Sequence, residues 1–338
     1  ADAASLDSRS LLQALSAERP ISGSALARHF GVTRTAVWKH IELLRGLGVP
    51  IHAQAGSGYR LGAAIELLDA ERIRSGLSSA LQESLLPSAL QVHWQIDSTN
   101  SELLRSRDSL PPLAIALAEV QTRGRGRRGR DWHMPLGGGL ALSVLRRFDG
   151  SMAALAGLSI VVGIGVMRFL EALGVRQAGL KWPNDVLVDG RKLAGILVEL
   201  GGDALGPCHA VIGVGINVHI DPTQAVAIDQ AWVDLAGLAA GVLPSRNQLA
   251  ASLLDHLMVT LDDFAVGGLA SLQTEFSGYD LLRGRPIRVV EATRERHGIA
   301  RGLNAQGALR VQDSEGEFIV DSGEVSVRSD MPANGARP

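Results

Sequence analysis

The chain has 338 residues, 46% hydrophobic and 20% charged, with 33 Lys+Arg against 35 Asp+Glu for a net charge of −2. This composition excludes a mainly disordered or fibrous protein, and the balanced charge gives no whole-chain bias toward nucleic acid or acidic partners. The single cysteine, Cys208, excludes an internal disulfide framework and any cysteine-rich metal site, and its apolar neighbours mark it as a core thiol.

Residues 1–61 carry seven Lys or Arg against four Asp or Glu, a mildly basic module on an acidic body. Asp2, Asp7, Arg9 and Glu18 interrupt the apolar residues up to Pro20, so no secretory signal is expected there and the cytoplasm is the expected compartment. Leu11, Leu12 and Leu15 predict a first helix face. Leu26 and Phe30 predict a second helix that stops at Gly31, a residue suited to a left-handed turn. Thr33 then caps a third helix, with Val37, Ile41 and Leu44 on one face. From Val49 to Leu61 apolar and polar residues alternate around Gly56-Ser57-Gly58, which predicts a hairpin. Together these elements read as a winged helix-turn-helix. Thr33, Arg34, Thr35, Trp38 and Lys39 stand at the exposed start of its recognition helix as candidate DNA-binding residues; the alternative is a solvated face of a plain three-helix module.

Short apolar runs at Leu113–Val120, Leu140–Leu145, Val186–Val188, Ile196–Leu200 and Ala210–Val218 predict strands, with helical spacing between them at Leu155, Leu158, Val162 and Val166 and again over Leu249–Phe264. Short turns between consecutive strands predict a mixed sheet. The uncharged stretch Ser151–Met167 contains three glycines and two serines and reads as a buried helix, with no membrane partner expected. From Arg285 to Arg328 the pattern is all β and predicts a small barrel-like unit. The expected domains are 1–65, 66–282 and 283–330, followed by a disordered tail at 331–338.

Between two predicted strands lies Gln121-Thr122-Arg123-Gly124-Arg125-Gly126-Arg127-Arg128-Gly129-Arg130, with five arginines and three glycines in residues 123–130. Glycine amides approach an anion closely and arginine grips phosphate or carboxylate with two prongs, so this loop is suited to wrapping an anionic ligand. An RGG-like RNA-binding tract would lie in disordered surroundings, and a plain solvated basic loop is the bland alternative. Gly124-x-Gly126-x-x-Gly129 also spells the dinucleotide fingerprint, with Asp149 20 residues beyond Gly129. That motif needs a helix to begin at its glycines, whereas Asp131 to Gly139 contains a proline and three glycines without helical periodicity.

Two further clusters look chemical. Lys181-Trp182-Pro183-Asn184-Asp185 sets a cation and an acid on either side of a proline turn. Arg191-Lys192-Leu193-Ala194-Gly195 leads into a strand with Lys192 at its mouth, where a cation would neutralise a phosphate in transfer. For each, a polar hairpin turn is the alternative. The nine histidines show no metal-ligand spacing, and no protein metal site is expected.

In order, Asp97-Ser98-Thr99-Asn100, the 121–130 loop, the KWPND run at 181–185, the KLAGILVE run at 192–199 and Gly213-Val214-Gly215-Ile216-Asn217 resemble the biotin protein ligases. With the winged helix, the chain resembles their bifunctional class, ligase plus biotin-operon repressor. The resemblance implies an α+β architecture: an N-terminal winged helix-turn-helix, a central mixed-sheet α/β ligase domain and a small C-terminal SH3-like β-barrel. It implies the joining of biotin to ATP as biotinyl-5′-adenylate, with Mg²⁺, and passage of biotin to a lysine of the biotin carboxyl carrier protein of acetyl-CoA carboxylase. Biotin operon DNA and a second copy of the chain, in a ligand-promoted homodimer, are the other implied partners.

By the same resemblance Ser98, Thr99, Asn100 and Gln121 hold biotin, and Arg125, Gly126 and Arg127 form the loop that orders over the ligand and contacts its carboxylate or phosphate side. Lys192 contacts both substrates and stabilises the transferring phosphate, with Arg127, Lys181 and Asp185 completing the catalytic set. Trp132 stacks on adenine and Asn217 contacts the nucleotide. A ligase whose winged helix does not repress, a lipoate-activating relative and an NAD(H)-sensing repressor built on the glycine fingerprint are the alternatives.

Overall fold

The computed structural model describes residues 6–222, 228, 230–290, 295–321 and 326–329; the expected tail at 331–338 lies outside them. Three helices open the chain, α1 (Ser8–Ala14), α2 (Gly23–Phe30) and α3 (Arg34–Gly46). Ser22 caps α2 by accepting the Ala25 N–H, Gly31 ends it in the left-handed region at φ 66°, and Thr33 accepts the Ala36 N–H to start α3. The wing is β1 (Ile51–Gln54) paired antiparallel with β2 (Gly58–Leu61). Leu11, Leu26, Phe30, Val37, Ile41, Leu44 and Leu61 form its core, joined by Val120 and Leu136 from the body of the protein. Thr33, Arg34, Thr35, Trp38 and Lys39 are all exposed on α3 and its cap.

The linker passes through α4 (Ala70–Ser75) and α5 (Ser79–Ser84) to β3 (Leu90–Ile96), α6 (Thr99–Ser106), β4 (Leu113–Gln121), β5 (Gly139–Phe148) and α7 (Leu158–Ala172). Next come β6 (Gly179–Lys181), β7 (Asp185–Val188), β8 (Arg191–Gly202), β9 (Cys208–Asn217), α8 (Leu235–Leu238), α9 (Arg246–Gly267) and α10 (Gln273–Tyr279). The seven strands form one sheet in the order β3-β4-β5-β9-β8-β7-β6, parallel only between β3 and β4. The mixed sheet is therefore present, with β3 and β6 beyond the five predicted strands.

Period-two alternation divides the sheet faces. Ile115, Leu117, Leu140, Leu142, Val144, Ile212, Val214 and Ile216 point to the main core, which α7 and α9 cover. The opposite face carries Ala141, Ser143, Gly195, Gly213 and Gly215, and the small side chains leave a hollow there. Met152–Ala172 has the length and mean hydropathy (2.0) of a membrane span, but 67% of its apolar window is buried inside the protein, as expected of a core helix. Cys208 is buried, which pushes its thiol pKa up.

A buried ion pair ties the linker to this body. Arg246, at the start of α9, donates to Glu119 on β4 (2.9 Å), to the Glu66 carbonyl (3.0 Å) and to the Gly139 carbonyl (2.9 and 3.1 Å). The second Glu119 oxygen accepts the Leu68 N–H. Every partner of the buried charges is thus supplied, as burial requires.

The third unit comprises β10 (Pro286–Val290), β11 (Glu295–Leu303), β12 (Leu309–Asp313), β13 (Gly316–Val320) and β14 (Ser326–Ser329), antiparallel in the order β13-β12-β11-β10-β14. The strands agree with the predicted all-β pattern. Among the described residues no pairing joins β13 to β14 to close the expected barrel.

Candidate active site

Between β3 and α6 the chain turns sharply. Asp97 accepts the Ser98 N–H (2.8 Å) and both terminal nitrogens of Arg105, two turns along α6 (2.6 and 2.9 Å). This clamp presents Ser98, Thr99 and Asn100, all buried, to the small-residue face of the sheet. The Arg105 guanidinium holds the Asp97 carboxyl down to about 2, below its ordinary 3.8. A depressed carboxyl contributes stability above its unfolded pKa and loses it as pH falls through the folded one. Asp97→Asn is therefore expected to lower stability near neutrality by on the order of 0.5 kcal/mol, the pair being partly exposed. The gap from wild type should close as thermal melts are taken from pH 4 toward 2; a gap constant over that window would contradict the clamp.

Thr99 donates its N–H to Gln121 Oε1 (2.8 Å), with its hydroxyl 3.1 Å from the same oxygen. The Ser143 hydroxyl donates to Asn100 Oδ1 (2.5 Å) and lies 2.7 Å from Thr99 Oγ1. Asn100 Nδ2 donates to Glu199 Oε2 (2.9 Å). A Cβ on Gly213 would lie 2.4 Å from Asn100 Oδ1, and one on Gly215 2.4 Å from the Trp132 ring. The alternate glycines of β9 therefore let Asn100 and Trp132 lie directly on the strand.

The arginine-rich loop is a compact hairpin. Gly124 O accepts the Trp132 N–H (2.8 Å) and Gly126 N–H donates to Arg130 O (2.7 Å), with a 3₁₀ turn at Arg127–Gly129. A Cβ at Gly124 would lie 2.3 Å from the Trp132 carbonyl, so only glycine fits. After the hairpin the chain returns to β5 with no intervening helix. The helix N-terminus required by the dinucleotide fingerprint is absent among these residues. Arg127 donates to Asn184 Oδ1 (3.4 Å); burial, with Arg128 beside it, lowers its pKa without discharging a guanidinium.

Lys192 is the second residue of β8, at the start of the strand as expected. Pairing with β7 runs Leu187↔Lys192 and then Val186↔Ala194, so Leu193 is the extra residue of a bulge. Strict alternation would put Lys192 on the face opposite Gly195; the bulge brings them together, Lys192 Cε lying 3.2 Å from where a Gly195 Cβ would be. Lys192 Nζ is 2.8 Å from Asp185 Oδ1, paired by charge rather than by an aligned hydrogen bond, and 5.6 Å from the Trp132 ring centroid. Asp185 belongs to the Lys181–Asp185 turn, whose Trp182 is fully buried and donates through Nε1 to Gly307 O (3.0 Å) in the third unit. Trp182→Phe leaves that carbonyl without its donor and is expected to cost about 1–3 kcal/mol in urea unfolding; unchanged stability would remove the buttress.

Ser98, Thr99, Asn100, Gln121, Arg125, Gly126, Arg127, Trp132, Lys181, Asp185 and Lys192 all line one cavity of about 860 Å³. Asn217, expected against the nucleotide, is not on its wall. Its buried amide donates to the carbonyls of Lys192 (3.2 Å) and Val233 (3.0 Å) and so holds the start of β8 from behind. Sequence reasoning missed Ser143, gave Asn184 and Gly195 no individual role within their motifs, and did not foresee the contacts of Gly213 and Gly215, although two glycines alternating within an apolar strand signal a close approach. The described lining carries Arg125, Arg127, Arg128, Arg130, Lys181 and Lys192 against Asp131 and Asp185, an excess of positive charge that suits an anionic ligand.

Residues 8–60 match the HTH domain family, 92–217 the Biotin/lipoate A/B protein ligase family and 283–328 the Biotin protein ligase C terminal domain. The chain is 39% identical over 308 residues to the bifunctional ligase/repressor BirA of Salmonella typhimurium, covering 91% of this chain and 93% of that protein. It is 33% identical to the biotin--[acetyl-CoA-carboxylase] ligase of Mycobacterium tuberculosis, covering 77% and 98%. Among solved structures it is similar to the biotin protein ligase from Aquifex aeolicus in complex with biotin and ATP, with a TM-score of 0.60 and 26% identity over 71% of this chain and 99% of that one. A cationic cavity on a mixed sheet, joined to a winged helix and matched along most of the chain by a bifunctional ligase/repressor, places this chain in the biotin protein ligase family, in its bifunctional ligase/repressor class.

Proposed function

We propose that the cavity binds biotin and ATP, forms biotinyl-5′-adenylate and passes biotin to a lysine of the biotin carboxyl carrier protein of acetyl-CoA carboxylase. The supporting observation is the convergence of Lys192, Arg127 and the hairpin on one hollow beside the buried Ser98–Asn100 turn. The biotin carboxylate bonds to the α-phosphorus of ATP as the bond to pyrophosphate breaks. Two anions must meet for this, and Lys192 and Arg127 offset their repulsion while Asp185 holds Lys192 in place. The acceptor amine then attacks the acyl carbon, AMP leaves and the amine proton passes to water. Until then the hairpin keeps water from the mixed anhydride. Mg²⁺ would accompany ATP and be held mostly by phosphate oxygens; the described residues hold no group of three or more His, Cys, Asp or Glu side chains that could bind it by themselves.

The exposed Thr33, Arg34, Thr35, Trp38 and Lys39 carry the second role, repression at biotin operon DNA in the cytoplasm by a ligand-promoted homodimer reading two half-sites. Incubation with biotin, ATP, Mg²⁺ and a carrier domain should raise the carrier's mass by one biotinyl group; an unchanged mass refutes the ligase reading. A gel shift on operon DNA should strengthen with adenylate and weaken as salt rises. No shift at low salt leaves a ligase without repression.

A further inference from the structure

We propose that Glu199 is a positioning residue for adenylation: it straps the arginine hairpin across the cavity and sets the Asn100 amide beneath it. This rests on the reading of the cavity as the biotin and ATP site. The hairpin leaves the sheet at the end of β4, which β5 and β9 separate from β8, yet Arg125 Nη2 lies 2.6 Å from Glu199 Oε2 on β8. The ion pair therefore draws the hairpin over the sheet face that carries the cavity. The same Oε2 accepts Asn100 Nδ2 at 2.9 Å.

An ionised carboxylate only accepts. Asn100 must turn its NH₂ to Glu199 and its carbonyl oxygen to Ser143, whose hydroxyl donates to it (2.5 Å) and stands next to Thr99. The Glu199 charge, with the Leu197 carbonyl that accepts the same Nδ2 at 3.3 Å, thus sets the hydrogen-bond direction within the vitamin pocket. Glu199 itself does not line the cavity, so it acts through Arg125 and Asn100 rather than on the ligand. With the hairpin already drawn over, less order is lost when the ligand binds.

The test compares wild type, Glu199→Ala, Glu199→Gln, Arg125→Ala and the Glu199→Gln/Arg125→Ala double variant. The readouts are KM for biotin, kcat of pyrophosphate release and the dissociation rate of biotinyl-5′-adenylate. Glu199→Ala should raise KM and the dissociation rate about tenfold with kcat nearly unchanged, because interactions within one network couple at this level. Glu199→Gln keeps an acceptor for Asn100 and loses the charge, so a rise of about threefold is expected, and it should vanish in the Arg125→Ala background. A merely structural role would not produce that coupling. Wild-type values in both Glu199 variants, or equal Glu199→Gln effects with and without Arg125, would overturn the strap. If Glu199→Ala melts far below wild type, the Glu199→Gln cycle decides alone. A wild-type protein that forms no adenylate defeats the reading of the cavity, and the strap with it.

Discussion

Lys192→Ala is expected to slow adenylate formation by about a thousandfold, the scale on which a pre-placed electrostatic group acts in a water-poor site. Several features converge on this side chain. The bulge at Leu193 turns it to the cavity, Asp185 pairs with it at 2.8 Å, and Asn217 grips its carbonyl from the core side. The bulge and the Asn217 hydrogen bond are backbone features that the alanine variant keeps, and only the Asp185 pair is lost. Asp185 is partly exposed to the cavity and water replaces the lost cation there, so the fold should melt close to wild type. Single-turnover pyrophosphate release measures the effect; normal turnover would remove Lys192 from the chemistry.

Gly215→Ala should be nearly as damaging by a steric route. The new Cβ would meet three Trp132 ring atoms at 2.4–2.7 Å, and β9, paired on both sides by β5 and β8, has nowhere to move. Trp132 must leave, and its N–H bond to Gly124 closes the base of the hairpin. A fall of about a hundredfold in kcat/KM for ATP is expected, as for other small displacements of binding groups. Gly213→Ala instead strikes Asn100 and should act mainly on KM for biotin. Steady-state kinetics with each substrate varied in turn separate the two; identical profiles would contradict the proposed assignment of Trp132 to the nucleotide and Asn100 to biotin.

Local signals carried much of the fold. Gly31, Thr33 and the Val37, Ile41 and Leu44 stripe defined the recognition helix because cap and periodicity are properties of a few neighbouring residues. The strands β4, β5 and β9 were legible as apolar runs. β3 carried a usable signal, Leu90, Val92, Trp94 and Ile96 alternating with Gln91, His93 and Gln95, whereas the three residues of β6 are too few to show a period.

The candidate site divides in the same way. Motifs brought together eleven residues on one cavity, but they did not state which way each side chain points. Lys192 faces the cavity because of one extra residue, and Asn217 at the end of β9 turns to Val233, far along the chain. The tie among Glu66, Glu119 and Arg246 joins residues more than a hundred positions apart, and Glu199 gains meaning only through its contacts with Asn100 and Arg125. Such long-range pairings have no periodic trace in sequence.

A crystal structure of the protein with biotinyl-5′-adenylate bears most directly on the account. The acyl phosphate should lie between Lys192 and Arg127, with the 124–132 hairpin folded over it and the bicyclic vitamin ring against Ser98, Thr99 and Asn100. A hairpin standing in bulk solvent while the adenylate occupies another surface would contradict it.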